Sequence, residues 1–134
     1  MTSYESLQWV HIEPNIHKIS ISQICATLLF CLAWKHQFQA HKIFAELKLQ
    51  SSLRKHNVPH GDWFHYVSCP HYLAEILIYL SFAIILGTKH TTAWIIFGWV
   101  LVNQVIAGLM SHWWYRKTFR TYPSKRKAVI PFLI

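Results

Sequence analysis

Apolar residues along this chain fall into three long runs separated by polar, aromatic and basic stretches. ISISQICATLLFCLAW occupies Ile19 to Trp34, YLAEILIYLSFAIILG occupies Tyr72 to Gly87, and TAWIIFGWVLVNQVIAGLM occupies Thr92 to Met110. At about 1.5 Å per helical residue, each run with its polar-aromatic ends crosses most of a ~30 Å hydrocarbon layer. The pattern predicts an all-α membrane protein with about three transmembrane helices, at 19–36, 70–88 and 92–112. Buried helices of a soluble protein are the competing reading. The first helix is expected to continue past its apolar run, because AWKHQFQAHKIFAELKLQSSLRK is rich in helix formers and holds no Gly or Pro. VPHGDW marks a loop, Pro70 suits the first turn of the second helix, and Ser68 is its expected cap.

Composition agrees with the runs: 53% of the 134 residues are hydrophobic and seven are Trp. Charge gives the orientation. Lys35, Lys42, Lys48, Arg54 and Lys55 lie between the first two runs, and Arg116, Lys117, Arg120, Lys125, Arg126 and Lys127 follow the third. The first seventeen residues hold no Lys or Arg, and the link between the second and third runs holds only Lys89. By the preference of short basic loops for the cytosol, the middle loop and the C-terminal tail are expected there, and residues 1–18 on the lumenal side. The net charge of +8 is therefore largely a topology signal, with membrane lipids as its expected partners and no nucleic acid. Glu5 and Glu13 precede the first run and no small-residue cleavage site follows it, so a retained span is expected in place of a signal peptide. Cys25, Cys31 and Cys69 suggest no disulfide framework and are expected as free thiols.

Each predicted helix carries a polar stripe near its basic end. Gln37, His41, Phe44 and Lys48 share one face of the first helix, His71, Tyr72, Glu75 and Tyr79 one face of the second, and Gln104, Gly108, Ser111, His112 and Tyr115 one face of the third. An acidic side chain within an apolar span costs on the order of 3 kcal/mol, so Glu75 requires a bundle interior or a wet cavity. Interhelical hydrogen bonding accounts for a lone Asn103 or Gln104, and a frayed helix for the stripe on the first. Three stripes at one level point to a shared site. Ten histidines raise the question of a metal, but His36, His41, His56, His60, His65 and His71 lack the tight clusters of membrane di-iron oxygenases, and HNVPH is interrupted by Pro. No metal is expected. No GxGxxG, P-loop or GxSxG sequence is present.

The segments VPHGDWFHYVSCPHYLAEILIY and SHWWYRKTFRTYPSKRKAVIPFLI resemble the C-terminal half of the steroid 5α-reductase family, most closely its polyprenol branch. The similarity covers about Lys35 to Ile134, and YPSKRKAVIPF is its most specific part. His71 stands where the family usually has Asn, and Asn57 where it usually has Arg. The resemblance implies residues 19–134 as part of a seven-helix reductase fold in the endoplasmic reticulum membrane, with NADPH as cofactor and a polyprenoid lipid as substrate. It implies saturation of the α-isoprene unit on the way to dolichol, a step supporting protein N-glycosylation. By position it makes Gln37, His41, Lys48, Tyr66, His71, Glu75, His112 and Tyr115 the NADPH-lining residues, with Glu75 orienting the carboxamide and His112 and Tyr115 across from it. The helices that meet the substrate carbonyl in the family have no counterpart here, so a truncated form is expected and no catalytic residue is assigned. Two alternatives stand beside this reading: a non-catalytic membrane fragment of the same ancestry, and an isoprenylcysteine-methyltransferase-like enzyme.

Overall fold

The structure is a computed structural model and describes residues 19–51 and 57–134. The expected lumenal segment 1–18, and Arg54, Lys55 and His56 of the middle loop, lie outside the described residues. Helix α1 spans Ile21–Ser51 and α2 Pro70–Leu86, α3 spans Thr91–Thr118, and a 3-10 turn occupies Asp62–His65 between α1 and α2. The continuation of α1 beyond its apolar run is thus as predicted. Among the described residues α3 is the one helix long and apolar enough by itself to cross a membrane. Helix α2 is apolar but has 17 residues, about 26 Å of helix, and α1 dilutes its apolar half with a polar one.

The helices run antiparallel in sequence order. The Gln23 side chain, near the start of α1, donates to the Ile85 carbonyl near the end of α2 (3.1 Å). Further along α1, Phe44 packs edge-on against His71 in the first turn of α2. Ala26, Ala33 and Ala40 of α1 are buried at intervals of seven residues, close to two helical turns, and form a seam of small side chains. Such a seam lets two backbones approach closely, which matters where lipid supplies no hydrophobic drive between helices.

Pro70 occupies the first turn of α2 as expected, but Ser68 does not cap the helix. Cys69 is the N-cap, and no side chain bonds the first turn. The Cys69 carbonyl accepts from the Tyr72 and Leu73 N–H groups (3.1 and 3.4 Å), and the C-terminal tail pairs with the residues just before the helix: the Ser68 and Cys69 N–H groups donate to the Lys127 and Ala128 carbonyls (2.7 and 3.0 Å), and Lys127 N–H donates to the Tyr66 carbonyl (2.9 Å). This short parallel bridge lays the tail across the start of α2. Ala128 and Val129 then join Ile76 in the core, against which Tyr72, Phe97, Leu101 and Val105 pack. Gly87 ends α2 at φ 88°, a backbone conformation open to glycine, while its N–H donates to Ala83 (3.1 Å).

Among the described residues Asn103 forms no interhelical bond. Its amide donates to the Trp99 carbonyl of the same helix (3.0 Å) and stays on an exposed face. Ser81 and Thr27 likewise bond back to Leu77 and Gln23, so these polar groups satisfy themselves within their helices.

Candidate binding cleft

Between the end of α1, the end of α3 and the loop before α2 lies a cleft of about 250 Å³. Phe44, Lys48 and Ser51 line it from α1, Pro59 from the loop, and Trp114, Tyr115 and Phe119 from α3 and its end. A second cleft of about 540 Å³ adjoins it through Leu47, Asn57 and Phe119. Lys48 and Tyr115, far apart in sequence, therefore share one cavity. Phe44 connects them to α2, because its ring centroid lies 5.0 Å from that of His71, and His71 lies 5.9 Å from His41. Nδ1 of His71 is buried without a hydrogen-bond partner among the described residues.

A second cluster lies behind Tyr115. Ser68, fully buried, contacts Nδ1 of His112 at 2.6 Å and also the Tyr122 hydroxyl. When Tyr122 donates to Ser68 and Ser68 donates to Nδ1, His112 carries its proton on Nε2. Tyr122 in turn stacks on Tyr115, with ring centroids 5.6 Å apart and planes 12° apart. Cys69 points its thiol at the Gly108 carbonyl (4.0 Å), and burial pushes its pKa up to about 11, so the thiol stays neutral. Cys25 and Cys31 are exposed free thiols.

Arg126 departs from the expected basic patch. Its side chain is buried at 3% exposure, donates to the Pro59 carbonyl (3.2 Å), reaches Nδ1 of His60 (3.4 Å) and lies 5.2 Å from the centre of the Tyr122 ring. It fastens the tail to the 57–61 loop. Arg126→Lys keeps the charge but loses the planar fork, and is expected to cost about 2 kcal/mol, read as a lower thermal midpoint and faster proteolysis of that loop.

Of the eight residues expected to meet a cofactor, His41, His71, Lys48 and Tyr115 converge around Phe44. His112 stands behind Tyr115 through Ser68 and Tyr122. Gln37 lies half-buried on the same stripe of α1. Tyr66 does not join them: it lines a different groove with Trp63, Leu73 and Phe132. Glu75 is half-buried and has no hydrogen-bond or ion-pair partner among the described residues, while His112 bonds Ser68 and the Tyr115 ring stacks on Tyr122. The residues missed by sequence reasoning are Ser68, Tyr122 and Arg126. The aligned spacing of polar residues across separate segments gave no signal for them, since they meet only when the tail folds back.

The sequence profile described as 3-oxo-5-alpha-steroid 4-dehydrogenase matches residues 4–134. The chain belongs to this family. YPSKRKAVIPF, its most specific motif, is the segment that docks on α2 and carries Tyr122, Arg126 and Val129. Among individual relatives, the polyprenal reductase of Xenopus tropicalis is 45% identical over 114 residues, covering 82% of this chain and 37% of the relative. The polyprenal reductase of Danio rerio is 38% identical over 135 residues (98% of this chain, 40% of the relative), and that of Homo sapiens is 38% identical over 114 residues (82% and 36%). The chain spans about two fifths or less of these relatives' lengths. In this helical region the closing motif folds onto the start of α2.

Proposed function

We propose that this chain is the cofactor-binding C-terminal region of an NADPH-dependent polyprenal reductase, a multi-pass protein of the endoplasmic reticulum membrane. In this reading the three helices are the closing spans of a seven-helix fold, and the middle loop and tail face the cytosol. The reaction saturates the α-isoprene unit of a polyprenoid lipid in dolichol synthesis, which supports N-glycosylation. The observation that carries the reading is the convergence of His41, His71, Lys48 and Tyr115 around Phe44, in a chain 36–45% identical to polyprenal reductases.

The residues present fit such a cofactor. A buried His71 Nδ1 and a half-buried Glu75 carboxylate both lack partners, and buried polar groups of this kind are expected to be satisfied by a ligand. When bound, NADPH supplies a hydride for the β-carbon of a double bond conjugated to a carbonyl. Lys48 offers a point charge for a phosphate, and the Tyr115 ring, held by its stack on Tyr122, offers a flat apolar wall. Glu75 accepts a hydrogen bond from the carboxamide and so selects the face presented to the substrate. Ser68 keeps His112 in one orientation and one tautomer.

The purified 134-residue chain in detergent is expected to bind NADPH weakly, read as quenching of tryptophan emission, with Lys48→Ala reducing the affinity about tenfold. It is expected not to reduce polyprenal unaided. Efficient turnover by the chain alone would contradict the division of labour proposed here, and NADPH binding unaffected by Lys48→Ala would remove the cleft from it.

A further inference from the structure

Away from the cleft, a groove of about 480 Å³ runs along the first turns of α2. Its walls are apolar: Trp63 from the 3-10 turn, Leu73 and Leu77 from α2, and Phe132 from the tail. Tyr66, Pro131 and Phe132 also border an adjoining pocket of about 250 Å³, whose other walls are His65, Lys125 and Lys127. Greasy groove and basic pocket are therefore continuous. Leu73 and Leu77 lie three and seven residues beyond Pro70, roughly 4 to 10 Å deeper along the axis of α2, whereas the basic side chains lie before its N-terminus. Neither Lys125 nor Lys127 makes an ion pair among the described residues.

The backbone holds this arrangement in place. Phe132 adopts φ 66°, a left-handed conformation that a bulky aromatic residue rarely takes, and its ring is 87% exposed. The turn that carries it is closed on both sides, with the Val129 and Ile130 N–H groups donating to the Ile134 oxygen (3.0 and 2.8 Å) and Ile134 N–H donating to Ile130 (3.1 Å). A large apolar ring is thus presented outward beside a basic pocket, at the level where α2 begins its apolar run.

We propose that this composite groove is a binding site for an anionic phospholipid of the bilayer, with the phosphate held by Lys125 and Lys127 and an acyl chain laid along Leu73, Leu77 and Phe132. The sequence of polarity decides the occupant. The basic end lies at the membrane boundary and the apolar end points toward the membrane interior, the order of headgroup and chain in a lipid. A soluble phosphate would use only the basic half, and a second copy of the chain would meet two unpaired lysines. The inference rests on α2 as a membrane helix and not on the reductase reading.

The test reconstitutes the full 134-residue chain in phosphatidylcholine nanodiscs containing a phosphatidylserine probe with a photoreactive diazirine on its acyl chain, followed by mass mapping of the adducts. Adducts are expected on the Leu73–Leu77 and Phe132 segments, falling about fivefold for each of Lys125→Gln and Lys127→Gln, and falling also in Phe132→Ala. They are expected to be unchanged by NADPH and by Arg116→Gln with Lys117→Gln, which lie on α3 against Trp113. Loss on adding NADPH would assign the groove to the cofactor. Equal labelling by a phosphatidylcholine probe, equal loss in the Arg116 and Lys117 variant, displacement by inorganic phosphate, or replacement of lipid adducts by crosslinks between copies of the chain would each overturn the proposal.

Discussion

Gly108→Ala is expected to undock the C-terminal tail. Gly108 lies in α3, and a Cβ built there falls 2.0 Å from Cγ2 of Val129 and 3.5 Å from the Tyr72 ring. Val129 is fully buried and β-branched, so its methyl has neither free space nor an easy alternative rotamer. Overpacking at such a site costs roughly 1–3 kcal/mol, and here the strain acts on the segment that bonds the Ser68 and Cys69 N–H groups. The thermal midpoint should fall, and amide exchange at Ser68, Cys69 and Lys127 should accelerate together. Adding Val129→Ala removes the clashing methyl and should restore much of both. Unchanged exchange in Gly108→Ala would mean that the tail does not depend on this contact.

Glu75→Gln is expected to have the larger effect on chemistry. The measurement requires a chain as long as the relatives, such as a polyprenal reductase in which this sequence replaces the corresponding C-terminal region. The substitution keeps size and hydrogen-bonding reach but exchanges a charged acceptor for a neutral amide, so a cofactor carboxamide held by Glu75 would lose its orientation. Misplacement of a reacting group by about 1 Å costs on the order of 100-fold in rate, and kcat is expected to fall by that order, with the KM for polyprenal little changed. A rate equal to that of the unsubstituted chain would leave Glu75 as a packing residue. Its lack of a partner among the described residues argues against packing, since a half-buried carboxylate without a ligand gains nothing from its position.

Ser68 shows why a correct segment boundary does not settle a residue's role. A serine two residues before Pro70 and four before an apolar run has the features of a helix cap. In the structure Cys69 takes the N-cap position, and Ser68, one residue further out and paired through its N–H with the tail, turns its hydroxyl to His112 and Tyr122. Arg126 differs from its neighbours for a related reason: on the sequence it is one of six basic residues after α3, yet the fold turns it inward onto Pro59 while Lys125 and Lys127 stay exposed. The turn at 124–125, closed by the Arg126 N–H on the Pro123 carbonyl (3.2 Å), and the bridge at Lys127 place Arg126 between them, facing inward.

The sequence by itself determined the helical runs, the extension of α1, the break at Pro70 and family membership, because each of these depends on residues close together along the chain. Hydrophobic runs, backbone-restricting residues and a contiguous motif need no distant partner to be read. Only the tertiary structure decided which polar groups meet. The bonds of Ser68 to His112 and Tyr122 join residues 44 and 54 positions apart, and that of Arg126 to Pro59 spans 67. Tyr66 shows the converse: its place in the motif suggested the cofactor cleft, but pairing with the tail sets it in the amphipathic groove. Local patterns fix where helices lie, whereas the facing of one side chain toward another depends on how the tail returns across the start of α2.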